Sequence, residues 1–179
     1  MGSDSLNATQ AAALASDTLG RFASLVDARL RRRFSEWRDE LPVSGVSPDS
    51  TDLFDAVAEL TLRPAKRIRP ALAYYAAQCF EHDVPEDSLF DAVLAVELLQ
   101  TALLIHDDIM DRDDVRRGGP SVHAHMRGFG GDEHRAVSLA ILAGSSAYAL
   151  SKRVLFEANL PLPCFHAACA ELVRMEYEV

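Results

Sequence analysis

The stretch His106-Asp107-Asp108-Ile109-Met110-Asp111 sets three carboxylates at positions i, i+1 and i+4, and Arg116-Arg117-Gly118-Gly119 follows closely. Positions i and i+4 share a helix face, so Asp107 and Asp111 repel each other by about 0.2–0.5 kcal/mol if the segment is helical. Carboxylates near a helix C-terminus also oppose the helix dipole. A cation at that spot offsets both costs. Clustered carboxylate oxygens suit Mg2+, which takes one or two protein carboxylates and completes its shell with water and phosphate. Asp107, Asp108 and Asp111 are therefore the candidate metal-ligating and catalytic residues. Arginine is the side chain best shaped to fork onto phosphate oxygens. Metal carboxylates beside two arginines imply a diphosphate substrate.

Long helices must position these groups. Residues 8–39 carry Leu14, Leu19, Phe22, Leu25, Val26, Leu30 and Phe34 at helical spacings. A loop over 41–48 follows, with Asp49 or Ser50 as a possible cap for a helix over 51–62. Pro64 breaks that helix, and another runs from about 67 to 80 with Pro70 in its first turn. Segment 86–112 is apolar around most of its circumference, which marks a helix buried among others. Gly118, Gly119 and Pro120 form a loop, and a short piece runs from His123 to Met126. Gly128, Gly130 and Gly131 make a flexible stretch. Asp132 is an expected N-cap for a helix over 133–157, and a last helix covers 163–179. No alternating strand pattern is present. The expected fold class is all-α, a bundle wrapped around segment 86–112.

The chain has 179 residues, enough for one domain with a real core. A net charge of −9 argues against a general nucleic-acid role, so an anion must be bound by a local basic cluster. Cys79, Cys164 and Cys169 form no regular framework and read as buried thiols in a reducing compartment. There is no signal-peptide pattern and no stretch of 18 uninterrupted apolar residues, so no stable membrane insertion is expected.

Asp107-Asp108-Ile109-Met110-Asp111, four residues, then Arg116-Arg117-Gly118 resembles the first aspartate-rich motif of trans-isoprenyl diphosphate synthases. Pro120-Ser121-Val122-His123 is similar to the segment after those arginines. Lys66-Arg67-Ile68-Arg69-Pro70 resembles the family's GGKRxRP motif, with Pro64 and Ala65 in place of the usual glycines. Three cations in four residues at a helix start suit an anion. Glu97-Leu98-Leu99-Gln100-Thr101 resembles the helix preceding the aspartates, and Gln100 lies two turns before Asp107 on one face. Ala140-Ile141-Leu142-Ala143-Gly144 resembles another family segment, with Ser145 replacing the usual aspartate. His106 reads as a support for the carboxylates rather than a ligand.

The resemblance implies an isoprenoid-synthase helical bundle and a Mg2+-dependent prenyltransferase that joins isopentenyl diphosphate to an allylic diphosphate. It assigns Arg116 to the allylic diphosphate, and Lys66, Arg69, Gln100 and Arg117 to isopentenyl diphosphate. Lys66 and Asp107 should face one cavity. Ala102 and Leu103, five and four residues before Asp107, should line the floor beneath the growing chain. Neither is aromatic, so geranylgeranyl diphosphate is the expected product. A cytoplasmic homodimer is also implied. The family's second aspartate-rich motif does not occur in these residues, so residues 1–179 are expected to be the N-terminal part of one domain and inactive alone. Two other readings remain: a class I terpene cyclase, which needs no second diphosphate site, and a non-catalytic subunit of a heteromeric synthase.

Overall fold

A computed structural model describes residues 7–41, 48–80, 83–130 and 132–178. Seven α-helices are present among them: α1 (Ala8–Glu40), α2 (Pro48–Leu62), α3 (Ile68–Gln78), α4 (Glu86–Asp111), α5 (Val122–Met126), α6 (Glu133–Glu157) and α7 (Leu162–Tyr177). The all-α expectation holds. One small addition is a two-stranded antiparallel hairpin, β1 (Val115–Arg116) and β2 (Gly119–Pro120), too short to leave an alternating pattern in the sequence.

Local chemistry explains the helix ends. Asn7 and Gln10 form a reciprocal capping box on α1, and Asp132 caps α6 by accepting from the Arg135 amide at 2.9 Å. Pro70 sits in the first turn of α3, where its missing N–H costs nothing. Helix α2 starts at Pro48, so Asp49 and Ser50 fall inside its first turn rather than at the residue before it. Most of the expected 41–48 loop lies outside the described residues, as does Gly131.

Helix α4 is the axis of the bundle. Leu94, Leu98, Leu99, Ala102 and Ile105 are all buried, and α6 packs along it more extensively than any other element. The reason is a run of small residues on α6: Ala136, Ala140, Ala143, Ala147 and Ser151 recur every three or four positions and are buried. Small side chains let two helix axes approach closely. Phe22 of α1, Tyr74 of α3 and Phe90 of α4 form an aromatic cluster with ring centroids 4.4–5.5 Å apart. Helix α4 is long and apolar enough to cross a membrane, yet 67% of its most apolar window is buried among other helices. The cysteines depart from expectation: Cys79 and Cys164 are exposed and Cys169 is half-buried. Cys79 follows the end of α3, and Cys164 occupies the first turn of α7, both outside the core.

Candidate active site

Helix α4 ends immediately after Asp111, where Arg112 takes a left-handed conformation (φ 60°) and the amides of Arg112 and Asp113 close on the Asp108 carbonyl. The three aspartates thus fall within the last five residues of α4, and they differ in environment. Asp107 is half-exposed and lines a cleft of about 650 Å³ with Gln100, Leu103, His106, Ile141, Tyr148 and Glu176. Asp111 is exposed. Asp108 is fully buried and accepts from Arg116 Nε at 2.6 Å. Burial pushes the Asp108 carboxyl above the ordinary carboxylate range, while Arg116 pulls it down. Its Oδ2 is buried without a hydrogen-bond partner. Arg116 also lies 3.4 Å from Asp107 and 3.3 Å from Asp113. Among the described residues, no three carboxylate, imidazole or thiolate groups gather around one point.

The hairpin delivers the arginines. Arg117 (φ 51°) and Gly118 (φ 75°) are its two central residues, which matches the left-handed pair a tight two-residue hairpin requires. Arg63, at the end of α2, donates to the carbonyls of Arg116 and Pro120, both at 2.8 Å. A Cβ on Gly119 would lie 2.7 Å from the Arg63 guanidinium carbon, so glycine there makes room for this clamp. Arg127 fixes the hairpin's entry by bonding Asp114 at 2.7 Å and Glu133 of α6 at 2.7 and 2.9 Å. Those bonds hold both carboxyls below their ordinary range.

The basic segment before α3 divides by direction. Arg67 (φ 49°) is buried and turned inward, with Nε on Asp27 at 2.8 Å and its terminal nitrogens on Glu97 and the carbonyls of Thr61 and Arg63. Its neighbours Lys66 and Arg69 are exposed. Arg69 lines a second compartment of about 430 Å³ with Val96, Leu99, Gln100 and Leu103. Gln100 and Leu103 border both compartments, so Arg69 and Asp107 lie along one face of α4. Lys66 does not face that cleft. It lines an outer groove against α1, beside Ala12, Ser16 and Leu19, because inward rotation of Arg67 turns its neighbour toward α1. Arg117 donates to Glu97 Oε1 at 3.0 Å.

The expected floor divides too. Leu103 lines the cleft, whereas Ala102 is fully buried and borders none of these compartments. At 100° per residue, the fourth position before Asp107 returns to within about 40° of its face, and the fifth lands about 140° away. The cleft-facing series is Leu103, Leu99 and Val96. His106 bonds the Ile141 carbonyl at 3.3 Å and packs over Gly144, where a Cβ would lie 2.2 Å from its Nε2.

Sequence reasoning missed Arg63, Glu97 as a partner of both basic segments, and Tyr148 and Glu176 on the far wall. Glu97 alone left a signal, a charge inside an apolar helix, since such a residue is buried only when paired. Glu176 is held by Lys152 at 2.6 Å, an alignment of α6 and α7 that no spacing reveals.

The polyprenyl synthetase family profile matches residues 51–177. Geranylgeranyl diphosphate synthase of Methanosarcina mazei is 39% identical over 104 residues, 58% of this chain and 29% of that protein. The (2E,6E)-farnesyl diphosphate synthase of Mycobacterium tuberculosis is 38% identical over 114 residues, covering 61% and 29%. Among solved structures, geranylgeranyl pyrophosphate synthase from Corynebacterium glutamicum, complexed with isoprenyl diphosphate and magnesium, superposes with a TM-score of 0.71 at 34% identity. That superposition covers 80% of this chain and 43% of that one. The match spans between 29% and 43% of the length of these relatives. With the aspartate turn, the clamped arginine hairpin and the α4–α6 core in place, the match over residues 51–177 makes this chain a member of the polyprenyl synthetase family.

Proposed function

We propose that the full-length protein is a Mg2+-dependent prenyl diphosphate synthase that condenses isopentenyl diphosphate with an allylic diphosphate, and that these residues form the N-terminal part of its single domain. The observation that carries the reading is the shared border of the two compartments: Gln100 and Leu103 join the space beside Asp107 to the space beside Arg69. A reaction between two diphosphates needs two anion sites separated by an apolar reach of this kind.

Magnesium fits the donor set. Asp107 and Asp111 are accessible on adjoining turns, and the unpartnered Asp108 Oδ2 sits beside them. Two accessible carboxylates, with phosphate oxygens and water completing the shell, are what this ion prefers. Held by Asp107 and Asp111, Mg2+ would supply neutralisation of the charge on the leaving diphosphate. Arg116 holds the allylic diphosphate, while Arg69, Gln100, Arg117 and Lys66 hold isopentenyl diphosphate. Lys66 lies in the outer groove against α1, and the structure does not bring it to the cleft. Leu103, Leu104, Ile109 and Ile141 keep water from the allylic cation. The isopentenyl double bond attacks that cation, and the departed diphosphate accepts the proton lost.

The row Leu103, Leu99 and Val96 presents no aromatic ring to the growing chain. This supports geranylgeranyl diphosphate as the product. A cytoplasmic homodimer belongs to the same reading. Incubation of the full-length protein with labelled isopentenyl diphosphate, Mg2+ and allylic primers tests it. The expected result is a labelled prenyl diphosphate of about twenty carbons in proportion to added primer. A cyclised hydrocarbon formed without isopentenyl diphosphate, or no incorporation with any primer, overturns it.

A further inference from the structure

Among the described residues, four non-glycine residues have positive φ: Arg67, Arg112, Arg117 and Asn159. Such backbone is sterically disfavoured for a residue with a Cβ and persists only where surroundings over-determine it. Two of the four, Arg67 and Arg117, donate to the same atom, Oε1 of Glu97. They lie fifty residues apart in sequence, one at the start of α3 and the other in the β1–β2 hairpin. Glu97 is 3% exposed, and the Arg67 side chain is fully buried. A buried carboxylate shared by two guanidiniums, one of them anchored further by Asp27, is a closed charge network. Each arginine sits inside a segment assigned above to the diphosphate of isopentenyl diphosphate: Lys66 and Arg69 flank Arg67, and Arg117 belongs to the hairpin.

We propose that Glu97 is a positioning residue that sets the geometry of both basic segments at once. It touches no substrate. It fixes Arg117 directly, and fixes Lys66 and Arg69 by locking the left-handed turn at Arg67. The inference rests on the reading that these segments bind diphosphate.

The sign of one experiment separates positioning from simple electrostatics. Glu97→Gln removes a negative charge close to an anion site, so long-range electrostatics alone would tighten anion binding. Positioning demands the opposite, because an amide cannot hold two guanidiniums as a carboxylate does. Binding of inorganic pyrophosphate without Mg2+ to the full-length protein is measured by titration calorimetry, so that the basic segments and not the aspartates are read. The expected result is a Kd weakened by about tenfold, the equivalent of one charge-assisted hydrogen bond lost on binding. In an Arg117→Ala background the same substitution has a smaller effect, because one of its two routes is already gone. A purely structural role would lower the stoichiometry through unfolded protein and leave Kd unchanged. If Glu97→Gln does not fold, Glu97→Asp keeps the charge but is one methylene too short to span both arginines, and it too weakens binding. An unchanged or tighter Kd in the folded variant overturns the proposal alone. A wild-type protein that binds no pyrophosphate overturns the diphosphate reading, and this inference falls with it.

Discussion

Asp107 and Asp108 are adjacent in the chain and opposite in environment, so their substitutions separate. Asp107→Ala removes a half-exposed carboxylate from the cleft. Stability should hold, since repulsion with Asp111 is relieved, while on the proposed function turnover of the full-length protein should fall ~100- to 1000-fold as leaving-group charge goes unneutralised. Asp108→Ala instead takes a buried partner from Arg116. It should destabilise the fold by about 1–3 kcal/mol, as expected when a hydrogen-bonding group loses its buried partner. Thermal unfolding of the two variants checks the contrast, and equal melting temperatures would contradict it. The proposed chain-length floor divides the same way. Leu103→Phe puts a ring into the cleft and should shorten the product without loss of fold. Ala102→Phe should overpack the core beside α4 by about 1–3 kcal/mol, because that position is sealed. Product chromatography and melting temperature together separate the two; a shorter product from a stable Ala102→Phe protein would return that residue to the pocket.

At the scale of elements, two joints hold the site together. The first is α4 on α6, where His106 passes directly over Gly144. Gly144→Ala should displace His106 from the Ile141 carbonyl and destabilise the protein by about 1–3 kcal/mol. His106→Ala in the same background should recover part of the loss, since the obstructing ring is gone. A double-mutant cycle by denaturant unfolding measures this, and strict additivity would show that the two do not meet. The second joint is Arg127, which ties the hairpin entry at Asp114 to Glu133 of α6. Both carboxyls are held below their ordinary range by Arg127. A depressed folded-state pKa gives stability that is present above the unfolded value, about 3.9 for Asp and 4.3 for Glu, and is lost as pH falls through the folded value. The wild type should therefore exceed Arg127→Gln in melting temperature at neutral pH, with the gap closing in strong acid. High salt should also shrink the gap, because these groups are exposed. A pH-independent difference would assign the effect to something other than these ion pairs.

For the whole molecule, Leu142 and Phe156 on α6 and Leu162 at the start of α7 remain more than half-exposed. Apolar surface of this kind supports self-association of the full-length protein. Light scattering should return a dimer, and a monomer at high concentration would count against it. The sequence by itself determined the helical class, the α4 axis, the Asp132 cap and the identity of the acidic and basic motifs. Each of these is written in local spacing: apolar periodicity, capping chemistry, and carboxylates or arginines a few positions apart. Tertiary structure alone decided the direction in which each motif residue points. Asp108, Arg67 and Ala102 each sit one residue from a position open to solvent or cleft, yet all three are turned inward. One residue is 100° of helix, and which side of that rotation is covered depends on α6, on the hairpin and on the turn before α3. Glu97 is the clearest case: its charge is legible in the sequence, but its two partners come from segments thirty residues before it and twenty after, and only packing brings them to one oxygen.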